Sequence, residues 1–194
     1  MDCGPCALPA LVSQWCMGEA FPYSGRYAGL RVRHDRQHDL EGPRRCDGRK
    51  RGAEAAAIGR SRGGLTTKLH AAVDAVGLPL RIHPTPGQYG DRPQAEALLR
   101  GLKGIGHVIA DAAYDADPLR AFIADDLGAT PQIKANPSRA IAPSIDWRLY
   151  KERHQVECFF NKLKRFRRIA LRCEKTLTAF MGFVHLACAM IWLR

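Results

Sequence analysis

Acid is scarce in this sequence. Nineteen Asp and Glu stand against thirty Lys and Arg in 194 residues, a formal charge of +11 with an isoelectric point near 9.7. That deficit argues for a polyanionic partner, nucleic acid first and an anionic membrane surface second, although a basic surface without any partner carries the same charge. Long apolar runs are scarce too. Thr176–Leu193 is an eighteen-residue stretch without formal charge, close to the roughly 20 residues a bilayer-spanning helix needs. It contains Thr176, Thr178, Gly182 and His185 and follows a basic, domain-like sequence, which favours a buried terminal helix; a small basic membrane protein anchored there is the competing reading. No basic segment followed by an apolar run opens the chain, so no secretion signal is expected, and the seven cysteines are expected to be reduced thiols in the cytoplasm. Cys3-Gly-Pro-Cys6 has no second Cys-x-x-Cys or spaced His pair to complete a zinc site, and no βαβ pattern around it that would suggest redox chemistry. No internal repeat is visible. With 46% apolar and 25% charged residues, the composition excludes a disordered tail, a collagen or a coiled-coil rod, and the length suffices for one domain with a real core.

The chain changes character near residue 52. Residues 1–52 hold nine basic and six acidic residues without helical or strand periodicity, and runs such as Arg31–Asp39 and Arg44–Arg51 offer no apolar face. This segment reads as irregular, at best a basic arm. From Ile58 onward the pattern is α/β. Leu65–Val76 alternates Thr67, Leu69, Ala71 and Val73 with Lys68, His70 and Asp74, which predicts a half-buried strand, and Gly77 turns it into a second strand over Leu78–His83. Asp91 caps a predicted helix reaching about Lys103. His107–Asp111 is a short apolar run expected to be a buried central strand. Asp117-Pro118 begins a helix stopped by Gly128, with Asp115 and Asp117 as turn and cap residues. A weak strand over Gln132–Ala135 and two closing helices, about Asp146–Phe166 and Leu177–Leu193, complete the prediction.

Two features carry chemistry. Asp111 ends a buried strand, where sites of open α/β sheets gather, although a loop carboxylate capping the next turn would look the same. Tyr150, Arg153, Glu157 and Lys164 fall within roughly a 60° arc if one helix carries them all. Such a stripe is usually a solvated face. A carboxylate flanked by Arg and Lys, on a helix with Val156, Phe159, Phe160, Leu163 and Phe166 for its core side, also suits a metal ion beside a phosphate.

The order Tyr150, Arg153, Glu157, Lys164 resembles the signature of DDE transposases of bacterial insertion sequences. Gly59-Arg-Ser-Arg-Gly-Gly-Leu-Thr-Thr-Lys68, Thr85-Pro-Gly-Gln88 and Ala110-Asp-Ala-Ala-Tyr114 look like the same family, and the similarity covers about residues 53–194. The resemblance implies a ribonuclease-H-like α/β core, a mixed sheet flanked by helices with three carboxylates around two divalent ions, Mg²⁺ or Mn²⁺. Asp111 matches the second aspartate and Glu157 the glutamate, as catalytic and metal-ligating residues for in-line attack on a DNA phosphodiester. It further implies DNA contacts by Arg153 and Lys164, with Tyr150 packing against or touching the DNA. Lys162, Arg165, Arg167 and Arg168 add to a stripe of ten Lys or Arg against three Glu between Arg148 and Lys175, which suits phosphate contact. Double-stranded DNA is then the partner, the nucleoid the place of action, and a homo-oligomer the expected working form.

The pattern breaks upstream. The family's first aspartate should sit on the first strand, followed by Ser or Thr, and only Asp35 and Asp39 lie in that region; Leu30 and Val32 alternate before them, but no convincing strand is evident. Synonymous codons for Arg33–Gly52, read one nucleotide later, can encode Ala-Met-Ile-Asp-Ser-Thr followed by a Gly-rich approach to residue 53, with the aspartate codon straddling Arg36 and Gln37. Residues 1–52 are therefore expected to be translated out of frame, leaving the chain without one metal ligand and without a central strand. A transposase with impaired catalysis follows, or else an inactive remnant that only binds DNA.

Overall fold

The computed structural model describes residues 27–32, 56–61 and 64–193. Cys3, Cys6, Asp35, Asp39 and the Arg62-Gly63 pair lie outside them. Among the described residues six strands form one mixed sheet: β1 (Tyr27–Val32), β2 (Gly59–Ser61), β3 (Gly64–Asp74), β4 (Pro79–Pro86), β5 (His107–Ala110) and β6 (Thr130–Ile133). Across it the order is β4-β3-β1-β5-β6, with β2 paired to the first residues of β3. β1, β5 and β6 are mutually parallel, and β3 runs antiparallel to β1 and to β4.

The central strand expected to be missing is present. Tyr27–Val32 fills it, with Leu30 opposite Ala110 on one side and Ala72 on the other. A short segment with Tyr, Leu and Val suffices, because the facing edges of β3 and β5 would otherwise leave a row of backbone donors and acceptors unpaired. That part of the N-terminal segment is therefore strand, not irregular chain.

Helices cover both faces. α1 (Arg92–Leu99) and α2 (Asp117–Ala121), continued by a wider turn over Phe122–Asp126, pack on one face through Ala95, Leu98, Leu99, Leu119 and Ile123 against Ala72, Val108, Ala110 and Ile133. On the other face α3 (Trp147–Lys151) lies over β5 and β6. Beside it α4 (His154–Lys164), α5 (Arg167–Ala170) and α6 (Leu177–Trp192) bury Val156, Phe159, Phe160, Leu163, Ile169, Phe180 and Val184 against Leu69, Ala71 and Val73. β3 is therefore buried on both faces from Leu69 to Asp74, not half-buried as its alternation suggests. Its polar residues enter the interior with partners. His70 Nε2 lies 2.6 Å from Thr85 Oγ1, and one Asp74 oxygen accepts the N–H groups of Val76 and Leu78 to shape the turn into β4.

α1 stops at Leu99, short of Lys103, where Gly101 takes a positive φ of 78°. The Asp91 carboxylate does not cap it; it takes Lys68 Nζ at 3.0 Å instead. Asp117 enters the helix as its first residue and Ala116 is the cap, so its side chain is free to accept Arg139. The helix expected over Asp146–Phe166 divides. Glu152, Arg153 and Gln155 donate to carbonyls three residues back, a tighter winding that separates α3 from α4 without proline or glycine. α6 keeps the terminal apolar run, burying Phe180, Val184, Ala187, Cys188 and Ile191. Among the described residues no helix is long and apolar enough to cross a membrane.

Arg172 ties this helical layer to the approach of β2. It is almost fully buried, in a left-handed conformation with φ 40°. Its guanidinium donates to the carbonyls of Ala56 and Ala57 and stacks 4.9 Å over the Phe180 ring.

Two measurements check this packing. Phe159→Ala removes a fully buried ring from the larger core and is expected to lower stability by about 3–5 kcal/mol in urea unfolding at neutral pH. Burial pulls the His70 imidazole down from 6.5 to about 4, with His83 and Lys68 adding to the effect and Asp91 opposing it. An imidazole held neutral in the folded state takes up its proton more readily unfolded, so its contribution is present above the ordinary value and is lost as pH falls from about 6.5 towards about 4. Urea midpoints measured across that range should fall for the parent, and His70→Gln should flatten the slope.

Candidate active-site edge of the sheet

The strand directions bring five ends together. The C-terminal ends of β1, β4, β5 and β6 and the N-terminal half of β3 share one edge of the sheet. Asp111 stands there, one residue past β5, as the cap of the short turn Ala112–Tyr114, and its carboxylate accepts the Ala113 N–H at 3.0 Å. It stands just past the end of a buried strand, as expected, and it caps the turn that follows. Tyr114, last in the Ala110–Tyr114 motif, is buried in the smaller core and anchors that turn.

Two other motifs interlock at the same edge. A Cβ on Gly59 would lie 1.5 Å from the Gln88 side chain, and one on Gly87 would lie 2.0 Å from Thr66 Oγ1. Only glycine lets these two stretches approach so closely. Lys68 Nζ then clasps the loop that follows, donating to Tyr89 O at 2.8 Å and to Asp91 at 3.0 Å. Arg92 reaches the Asp111 turn itself, donating through Nε to Ala113 O at 2.8 Å. The signal for Lys68 lay in its motif; nothing in the spacing marked Asp91 or Arg92 as its continuation.

Asp115, expected as a turn residue, is the most constrained carboxylate on this edge. It is 6% exposed and accepts Arg120 Nε at 2.8 Å, Arg139 Nε at 3.0 Å and the Asn136 N–H at 2.8 Å. Burial alone would push its carboxyl up; the Asn136 N–H and the two guanidiniums outweigh that and hold it below the ordinary carboxylate range. Its partners Asn136 and Arg139 lie more than twenty residues away, beyond any local pattern.

The Tyr-Arg-Glu-Lys set does not share one helix. Tyr150 belongs to α3, Arg153 is the cap of α4, and Glu157 and Lys164 lie two turns apart on α4. The tightened winding between the two helices rotates Tyr150 away from the single arc. Neighbouring members still meet: the Arg153 guanidinium sits 5.6 Å from the Tyr150 ring centre and 3.9 Å from Glu157 Oε1. Glu157 is more than a third exposed, so that pair contributes little to stability. The start of α4 is fixed by Gln155, packed against Gly77 in the β3–β4 turn, and that turn lies at the opposite edge of the sheet from Asp111. Among the described residues no three His, Cys, Asp or Glu side chains converge to hold a metal ion.

The basic stripe is split in its partners. Lys162 and Arg165 are exposed and border a cleft of about 400 Å³ floored by Phe166, Met190 and Ile191. Arg167 is exposed. Arg168 is exposed as well, but it pairs with Glu174 at 2.5 and 3.1 Å and stacks 4.6 Å over Phe183.

Comparison with known proteins places this geometry in a family. The family model described as the transposase DDE domain matches residues 31–192. A curated protein of Brucella ovis, named for the transposase of insertion sequence element IS6501, is 82% identical over 130 residues, which are 67% of this chain and the whole of that protein. A chain from the cryo-EM structure of a piggyBac transposase synaptic complex with hairpin DNA superposes with a TM-score of 0.43 at 14% identity, over 62% of this chain and 25% of its own length. With the family model covering most of its residues and a relative matched along its full length, this chain belongs to the DDE transposases of bacterial insertion sequences.

Proposed function

We propose that this chain is the DNA-acting domain of an insertion-sequence transposase, built to cut and join phosphodiester bonds at the element's ends with Mg²⁺ or Mn²⁺, and that its own catalysis is impaired for want of one carboxylate. The sheet supports a ribonuclease-H-like reading: three parallel strands, a single antiparallel neighbour between β1 and β4, and an acid just past the strand beside the central one. In this reading Asp111 and Glu157 are two of three metal ligands, which requires α4 to carry Glu157 from the rim where its start packs on Gly77 to the rim with Asp111, and Arg153, Lys164, Lys162, Arg165, Arg167 and Arg168 face the double-stranded DNA of the terminal repeats and target. Tyr150 packs beneath Arg153. Copies of the chain pair on two DNA ends, on the nucleoid in the cytoplasm.

The observation that carries the impairment is a register. Leu30 of β1 pairs with Ala110 of β5, so the β1 position level with Asp111 is Arg31. A cationic residue stands where the first aspartate would belong. The lack of a converging carboxylate trio among the described residues supports the same reading. The out-of-frame reading accounts for it: residues up to about 52 come from the neighbouring frame, and Tyr27–Val32 takes the place of the strand that frame would supply before a catalytic domain of residues 53–194.

The test compares three proteins on a duplex carrying the element's own end with Mg²⁺ or Mn²⁺: the chain as encoded, the frame-restored protein, and the restored protein with Glu157→Ala. The restored protein should cleave at least ~100-fold faster than either other, the scale of losing several kcal/mol of charge stabilisation. Equal cleavage by the encoded and restored proteins would refute impairment, and full activity with Glu157→Ala would refute the site assignment. Background activity in the encoded chain alongside tight DNA binding would mark it as a remnant that only binds DNA.

A further inference from the structure

Lys134 follows β6 directly. Its N–H donates to Ala110 O at 3.4 Å, extending the β5–β6 ladder one residue past Ile133 and placing Lys134 beside Asp111 on the adjoining strand. Neighbouring strands lie about 4.8 Å apart. Its side chain is exposed. The backbone on either side of it is held by the Asp115 cluster: Arg120, bonded to Asp115 through Nε, donates through Nη2 to Ile133 O at 2.7 Å, and Asp115 itself takes the N–H of Asn136. Asn136 Oδ1 then accepts the N–H and the hydroxyl of Ser138, and Arg139 spans Asp115 and Asp117. Exposed connections rarely need a buried carboxylate with two guanidiniums to shape them, since desolvating those charges is costly. What the cluster fixes is the exit of β6, and Lys134 is the exposed cation at that exit.

Arg92, at the start of α1, is exposed and anchored by its Nε to Ala113 O, the next residue but one after Asp111. Two exposed cations thus stand on anchored backbone near one carboxylate. Alone, Asp111 would repel a DNA phosphate; with these two nearby, it sits in a locally positive edge that attracts one.

We propose that Lys134 and Arg92 form a phosphate seat near Asp111, which holds the backbone of the DNA strand against this edge of the sheet, with the Asp115 cluster as its positioning element. This rests on the reading of the chain as a DNA-acting transposase and adds a contact surface separate from the basic stripe on α4 and α5. Neither residue adjoins that stripe in sequence.

Fluorescence anisotropy with the chain as encoded and a labelled duplex of the element's end, over a salt series from about 0.05 to 0.3 M, tests it. Lys134→Gln and Arg92→Gln should each weaken binding by about 3–10-fold at 0.1 M salt and reduce the salt slope by about one, while Lys134→Arg keeps both at the parent's value. Asp115→Asn should produce a loss of the same size with Lys134 still in place, and thermal melts identify any variant that has simply unfolded, for which Lys134→Arg and Arg92→Lys supply the readout. Parent-like affinity and slope for Lys134→Gln and Arg92→Gln, with binding lost in an Arg165→Gln/Arg167→Gln double variant, would overturn the seat and leave the transposase reading standing. If the parent itself shows no salt-dependent binding to duplex DNA, the DNA reading falls, and the seat with it.

Discussion

Because β1 runs parallel to β5 and β6 while β3 runs against it, one edge of the sheet collects residues from four distant parts of the chain. Lys68, Asp91, Asp111 and Lys134 are separated by more than sixty positions in total, yet each lies at a strand end or at the loop a strand end feeds. The constraint is geometric before it is chemical. Parallel neighbours need crossover connections, here the segments carrying α1 and α2, and these cover the face on which the smaller core forms. With both faces covered, backbone groups inside the sheet are satisfied by the ladders, and the unsatisfied ends gather at the two rims. The rim with Asp111 is the one where the interlocked glycines, Gly59 and Gly87, also bring two loops into contact.

How much of this was legible from residue order depends on whether the deciding contact was local. β5 was readable because His107–Ala110 is a short apolar run with few alternatives, and α6 because its apolar length leaves burial or a membrane as the only outcomes. β3 misled. Lys68, His70 and Asp74 suggested a wet face, but His70 finds Thr85 on the next strand and Asp74 folds back on its own turn, so polar identity did not mean exposure. The division between α3 and α4 has no breaker residue. It follows from docking one piece on β5 and β6 and the other on β1 and β3, a demand of the tertiary structure that helix periodicity does not register.

The candidate site shows the same split. Asp111 could be picked out because a strand end followed by Asp is a local pattern, and Arg153 with Glu157 because they are one helical turn apart. Asp115 could not, since two of its three partners come from the loop after β6. Nor could Arg172, whose acceptors Ala56 and Ala57 lie more than a hundred residues upstream. Both residues do architectural work for the edge: Asp115 sets the exit of β6, and Arg172 sets the entry of β2, whose Gly59 packs against Gln88.

The presence of β1 shows how tolerant strand pairing is of the side chains that a strand carries. Strand pairing is made by backbone N–H and C=O groups, which every residue but proline supplies in full, so a six-residue segment with a few β-favouring side chains can complete the ladder between β3 and β5. A metal site has no such tolerance. It asks for an oxygen donor at one register position, and shifting or replacing that single residue removes it while every backbone hydrogen bond around it remains. The sheet and the two cores are then the parts of this fold that depend on pairing and burial, while a metal site of the proposed kind would depend on a carboxylate at the position level with Asp111, where β1 carries Arg31.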